Sequence, residues 1–261
     1  MVRILTALVL VPAVVGAIWF FTPWQLLLFA EAVLILAFRE YAALASRLDT
    51  PIARTAAGTA AVTVCAAVGW PVVPLDVTLM AATIAMAAVA LTAGPPSPAI
   101  LHRLAAGLFP ALYLGLPIGA LVATRSLAGR EAVLLLILTV ATSDTAQFYA
   151  GSLVGRTPLA PAISPKKTIE GAIGGFIAGP LFVAVVGAWW LPDVPVPGRA
   201  AIGVVVVALG ILGDLFESML KRSAGVKDSS GLFPGHGGVL DRIDALLFAA
   251  PAFYVFVRMV Q

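Results

Sequence analysis

Apolar runs of membrane-crossing length follow one another along almost the whole chain, broken only by short turns. A span needs about 20 mostly apolar residues, and inside lipid every backbone polar group must be satisfied within the protein. A chain built of such runs is therefore restricted to a bundle of helices. The composition agrees: 61% of the 261 residues are hydrophobic and 11% are Asp, Glu, Lys or Arg. Soluble domains carry about 25% charged residues. Mean hydropathy is +1.05. The expected fold is an all-α integral membrane protein, a polytopic helical bundle of about nine transmembrane helices. Residues 1–261 are read as a single polytopic membrane domain, because the gaps leave no room for a separate soluble one.

The expected spans run about Ile4–Phe21, Trp24–Leu44, Ala53–Trp70, from the end of the Pro71–Asp76 turn to Thr92, Leu104–Thr124, Glu131–Gly151, Ile169–Trp190, Arg199–Leu220 and Val239–Val260. Turn residues separate them, notably Gly94-Pro95-Pro96-Ser97-Pro98 and the proline-rich Leu191–Pro197. The first run resembles a signal peptide, but Phe21-Thr22-Pro23-Trp24 reads as an interfacial turn, so it is taken as a retained span. The segment Arg156–Lys167 is expected to be a loop.

Charge placement matters more here than the net charge of +3, which is no evidence for nucleic acid. With nine alternating spans and the Lys221–Arg242 loop in the cytoplasm, 12 Lys and Arg lie inside and four outside. The outer four are Arg125, Arg130, Arg199 and Arg258. The single cysteine, Cys65, lies in an apolar run and cannot form an internal disulfide. The two histidines, His102 and His236, are too few for a zinc cluster.

One stretch breaks the apolar pattern. Residues 214–244 hold nine of the 29 charged residues. Asp214 and Glu217 are three apart on an expected helix and so share a face, and Asp241 and Asp244 repeat that spacing on the next. Carboxylate oxygens are the ligands that Mg²⁺ prefers. Lys221, Arg222, Lys227 and Arg242 supply cations for phosphate oxygens. Gly235, Gly237 and Gly238 let backbone N–H groups approach an anion just before a helix start. Together they describe a nucleoside triphosphate site. The plainer reading, a cytoplasmic loop with juxtamembrane basic residues, explains each charge singly but not the combination.

Two further polar features stand out. Asp144, within an apolar run, marks a functional site or an Asp bonded to a neighbouring helix. In Ser164-Pro165-Lys166-Lys167-Thr168, Ser164 or Thr168 can cap the next helix, and the two lysines beside its N-terminus suit an anion. Gly171, Gly175 and Gly179 form a small-residue stripe that points to helix packing. Glu31, Arg39 and Glu40 are ambiguous, with Arg39 and Glu40 expected at a membrane interface.

The stretch from Ser218 through Lys221, Arg222, Lys227, Asp228, Pro234, His236, Gly237, Gly238, Asp241 and Arg242 to Asp244 resembles the signature of the phosphatidate cytidylyltransferases (CDP-diacylglycerol synthases). Asp144, Phe148, Tyr149, Gly151, Gly155 and the string Ser164–Gly171 are similar to further segments of that family. The resemblance implies transfer of CMP from CTP to phosphatidate, with the catalytic core at about residues 131–261 and the N-terminal spans at about 1–125. It implies catalytic roles for Asp214, Lys221, Arg222, Lys227, Asp228, His236, Asp241, Arg242 and Asp244. Ser164, Lys166, Lys167, Thr168, Ser218, Gly237 and Gly238 would contact substrate. Mg²⁺, with room for a second metal ion, would be held by Asp214, Asp241, Asp144 and Asp244. The expected partners are CTP, phosphatidate and membrane lipids, without nucleic acid, and the family and the glycine stripe allow a homodimer. The expected location is the bacterial inner membrane, with the active site on its cytoplasmic face. Two alternatives stay open: another CTP-dependent lipid enzyme such as a polyprenol kinase, and an ion-coupled transporter.

Overall fold

Helices dominate because apolar side chains and satisfied backbone leave no other local solution. The structure, a computed structural model, describes residues 2–92, 95–233, 235 and 237–260, with only the backbone for 2–7. In order the elements are α1 (Val2–Phe20), α2 (Pro23–Arg47), α3 (Arg54–Gly69), α4 (Leu75–Thr92), α5 (Ile100–Pro110) and α6 (Leu116–Val154). A two-stranded hairpin follows, β1 (Pro158–Ala160) and β2 (Ser164–Thr168), then α7 (Ile169–Trp190), α8 (Val196–Ser223) and α9 (Leu240–Val260). The protein is thus nearly all-α. Among the described residues, five segments are long and apolar enough to cross a membrane: α4, the run Ile100–Val154, α7, α8 and α9.

Local sequence sets the boundaries. Thr22 and Gln25 form a reciprocal capping box at the start of α2, with Pro23 in the first helical turn. Between α5 and α6 the chain makes a wide π-turn at Ala111–Gly115, directly after Pro110. Proline removes a helical N–H and crowds the preceding turn, so the regular ladder gives way there. Gly129 has φ 84° and ψ 175°, which breaks α6 into two pieces. That break falls where the sequence puts the turn between its fifth and sixth spans.

The hairpin replaces the expected 156–167 loop. Pro158 pairs with Thr168 and Ala160 with Ser164, antiparallel. The segment that leads into β1 is held by α7: Glu170 accepts hydrogen bonds from Arg156 N at 3.1 Å, Thr157 N at 3.2 Å and Thr157 Oγ1 at 3.0 Å. Thr168 Oγ1 caps α7 by accepting from Gly171 N at 3.1 Å.

The described residues form two compact units. The first comprises residues up to Ala123 with Ser223–Arg242. Its core gathers Ala60, Val64, Ala82 and Ala111, with Leu75, Leu79, Leu108 and Leu116 packed around them. Small residues allow the approach: a Cβ on Gly115 would lie 2.6 Å from the Ala61 carbonyl oxygen. Tyr41 donates to the Ala106 carbonyl at 2.9 Å and so ties α2 to α5.

The second unit comprises Thr124–Arg222 with residues from Ile243 onward. Here Gly171, Gly175 and Gly179 are buried along α7. Gly175 faces Gln147 and Ser143 on α6, and Gly179 faces Val207 on α8. The stripe therefore packs within the chain, and it offers no exposed face of the kind invoked for a homodimer. Gly203 of α8 meets Pro180 of α7 in the same manner. Phe253, fully buried, anchors α9 in this unit.

Candidate functional site

In the second unit four elements bring acidic and basic side chains together. Asp144 comes from the C-terminal half of α6, Lys167 from β2, Asp214, Glu217 and Lys221 from α8, and Asp244 from α9. Lys167 Nζ pairs with Asp214 Oδ2 at 2.5 Å. Lys221 pairs with Glu217 one helical turn away, and Glu217 is fully buried. Asp144 and Asp244 each lie within electrostatic reach of Asp214, and of one another. Lys167 acts on Asp144, and Lys221 acts on Asp244. Ser218 Oγ donates to Asp214 Oδ1 at 3.4 Å, and Gln147 Nε2 donates to Asp144 Oδ1 at 3.2 Å. The hairpin positions Lys167, because β2 runs directly into the capped start of α7.

Three mutually repelling carboxylates beside two ammonium groups form a polar island on otherwise apolar helices. Such placement is costly in a membrane protein and marks function by default. Chemically, the lysines suit phosphate oxygens and the carboxylates suit a hard divalent cation. Among the described residues, no three His, Cys, Asp or Glu side chains are already gathered as a metal cage. Mg²⁺ does not need one: it takes one or two protein carboxylates and completes its shell with water and substrate phosphates. The carboxylates around Asp214 fit that requirement.

The other expected site residues divide as follows. Arg222 is exposed, and its Nε reaches the Ile163 carbonyl at 3.4 Å, just before the half-buried Ser164. Lys166 is exposed, and the Thr168 hydroxyl is engaged as the α7 cap. Lys227, Asp228, Gly237, Gly238, Asp241 and Arg242 belong to the first unit. There Asp241 Oδ2 accepts from Ser229 N at 2.9 Å, Ser229 Oγ at 2.7 Å and Gly238 N at 2.7 Å. Asp241 thus organises the loop that precedes its own helix. Gly235 and Gly237 both have φ +78°, a left-handed conformation that favours glycine. Phe233 N donates to Gly237 O at 2.9 Å across that turn. Pro234 and His236 lie outside the described residues.

Sequence reasoning missed two anchors. Glu170 fastens the hairpin, and Glu40 on α2 fastens the glycine loop. Glu40 is buried at 6% exposure rather than placed at an interface. The available signal for Glu40 was a carboxylate inside the apolar run Ile35–Leu44.

Comparison with known proteins fits this chemistry. The family model described as "Cytidylyltransferase family" matches residues 1–260. A phosphatidate cytidylyltransferase of Synechocystis sp. is 50% identical over 117 residues, covering 44% of this chain and 39% of that protein. One from Aquifex aeolicus is 42% identical over 125 residues, covering 48% and 46% respectively. One from Helicobacter pylori is 35% identical over 188 residues, covering 72% and 67%. The chain therefore spans under half the length of the first two relatives and two thirds of the third. With a family match over nearly its whole length, the chain belongs to the cytidylyltransferase family.

Proposed function

We propose that this protein transfers the cytidylyl group of CTP to phosphatidate, giving CDP-diacylglycerol and pyrophosphate. The observation that carries the reading is the cluster of Asp144, Asp214, Asp244 and Lys221, set on helices long and apolar enough to cross a membrane, with Lys167 from the hairpin. Family membership supports the nucleotide, and the names of the relatives support the lipid acceptor.

An oxygen of the phosphatidate phosphate would attack the α-phosphorus of CTP. A new bond forms between that oxygen and the α-phosphorus. The bond from the α-phosphorus to the oxygen bridging the β-phosphorus breaks, and pyrophosphate leaves with the electron pair. The attacking phosphate is already ionised, so no strong general base is required. The barrier is mainly charge repulsion and positioning. Lys167 and Lys221 would hold phosphate oxygens, with Lys166 and Arg222 as further cations of the same unit. Glu217 would hold and orient the Lys221 ammonium. Asp214, with Asp144 and Asp244, would hold Mg²⁺. When bound, the metal supplies charge neutralisation at the phosphoryl oxygens.

The helical pieces suggest the finer topology. With α6 divided at Gly129, the chain offers α1 to α4, α5 joined to the first part of α6, the second part of α6, and α7 to α9 as nine spans. The 12-to-four excess of Lys and Arg supports a cytoplasmic site in the bacterial inner membrane. A homodimer would have to use faces other than the buried glycine stripe.

The test gives the purified protein CTP, dCTP or UTP with phosphatidate, with and without Mg²⁺. Lipid-linked nucleotide should form from the cytosine nucleotide only when phosphatidate and Mg²⁺ are both present. Turnover that ignores phosphatidate, or equal use of UTP, would overturn the reading.

A further inference from the structure

Glu40 is buried on α2, and a buried carboxylate is costly unless its oxygens are hydrogen-bonded. Among the described residues, its hydrogen-bond partners come from one distant segment of the same unit. Oε1 accepts from Ser230 Oγ at 2.6 Å and Val239 N at 3.0 Å. Oε2 accepts from Leu240 N at 2.7 Å and lies 3.0 Å from Ser229 Oγ. Val239 and Leu240 open α9, where N–H groups lack partners within the helix and the dipole favours a negative charge. The two serines lie at the other end of the glycine run. Glu40 therefore grips both ends of the loop 229–240.

The loop is built around this grip. Ser229 Oγ also lies 2.7 Å from Asp241 Oδ2, so the hydroxyl sits between the two carboxylates. Gly238 is buried, and a Cβ there would collide with Ser229 Oγ and both Glu40 oxygens. The glycine is needed for the close approach of the carboxylate.

We propose that Glu40 is a positioning residue: by holding the first N–H groups of α9 and the hydroxyl of Ser230, it fixes the loop between them in the conformation that turnover requires. Its effect on turnover rests on the cytidylyltransferase reading; its effect on the loop does not. Glu40→Gln keeps the shape but replaces one acceptor oxygen with an NH₂ group that faces donors.

The experiment compares the full-length wild type, Glu40→Gln, Glu40→Asp and Ser230→Ala by amide hydrogen exchange, melting and CTP kinetics. In Glu40→Gln, residues 229–240 should exchange faster while the rest of the chain keeps wild-type rates. The kcat/KM for CTP should fall roughly 10- to 100-fold, as for other misplaced binding groups. Glu40→Asp should restore part of both, and Ser230→Ala should move both in the same direction by less. Unchanged loop exchange in folded Glu40→Gln, or uniform loosening of the whole unit, overturns the proposal. If Glu40→Gln does not fold, Ser230→Ala decides: unchanged exchange and kinetics there also overturn it. Loop-confined exchange in Glu40→Gln without any CTP turnover by the wild type upholds the positioning role and refutes the functional reading instead.

Discussion

Lys167 and Asp214 come from a β-hairpin and a membrane helix and meet at 2.5 Å, both only partly buried. A partly buried pair is less screened than a surface one, so each member fixes the other's position. If Lys167 holds a phosphate of the substrate, Lys167→Met should lower kcat/KM for CTP about 100-fold, the scale of losing one donor to a developing anion. Lys167→Arg should recover part of the loss, and the melting temperature should move little. A folded Lys167→Met enzyme within about threefold of wild type would remove Lys167 from the site. Lys167, Asp214 and Asp244 were legible in the sequence, because motif spacing and rarity in an apolar chain mark them. The role of Glu40 was not, because its donors lie 189 to 200 residues away and no local pattern reports such a partner.

At the scale of the element, α7 packs through glycines. A Cβ on Gly175 would lie 2.7 Å from Gln147 Cγ and 2.8 Å from Ser143 Oγ. Gly175→Leu must therefore push α7 away from α6, next to Asp144. Overpacking of this kind costs about 1–3 kcal/mol. The detergent-extracted variant should melt at a lower temperature and lose activity along with stability. Wild-type melting would contradict the packing seen here. The stripe was readable from its spacing of four, and so were the helices and the break near Gly129. The hairpin was not: Ser164-Pro165-Lys166-Lys167-Thr168 has no apolar alternation, and β1 is only three residues long. Its register is set instead by Glu170 and the Thr168 cap.

At the scale of the whole molecule, membrane residence follows from composition, and the five long apolar helices agree with it. The sequence also located the polar islands, since charge inside such a chain is rare enough to be informative. What composition could not reveal was the division of the motif residues between the two compact units, because that depends on how distant segments pack. The central claim is that the α-phosphoryl group of CTP moves to a lipid phosphate on the cytoplasmic side. The most direct measurement supplies CTP labelled at the α- or the γ-phosphate to sealed inside-out vesicles that contain the protein and phosphatidate. The α-label should enter the lipid fraction as CDP-diacylglycerol and the γ-label should leave as pyrophosphate, while right-side-out vesicles stay inactive until permeabilised. Appearance of the γ-label in lipid would mark a kinase, and α-label transfer in intact right-side-out vesicles alone would reverse the topology; either result contradicts the account.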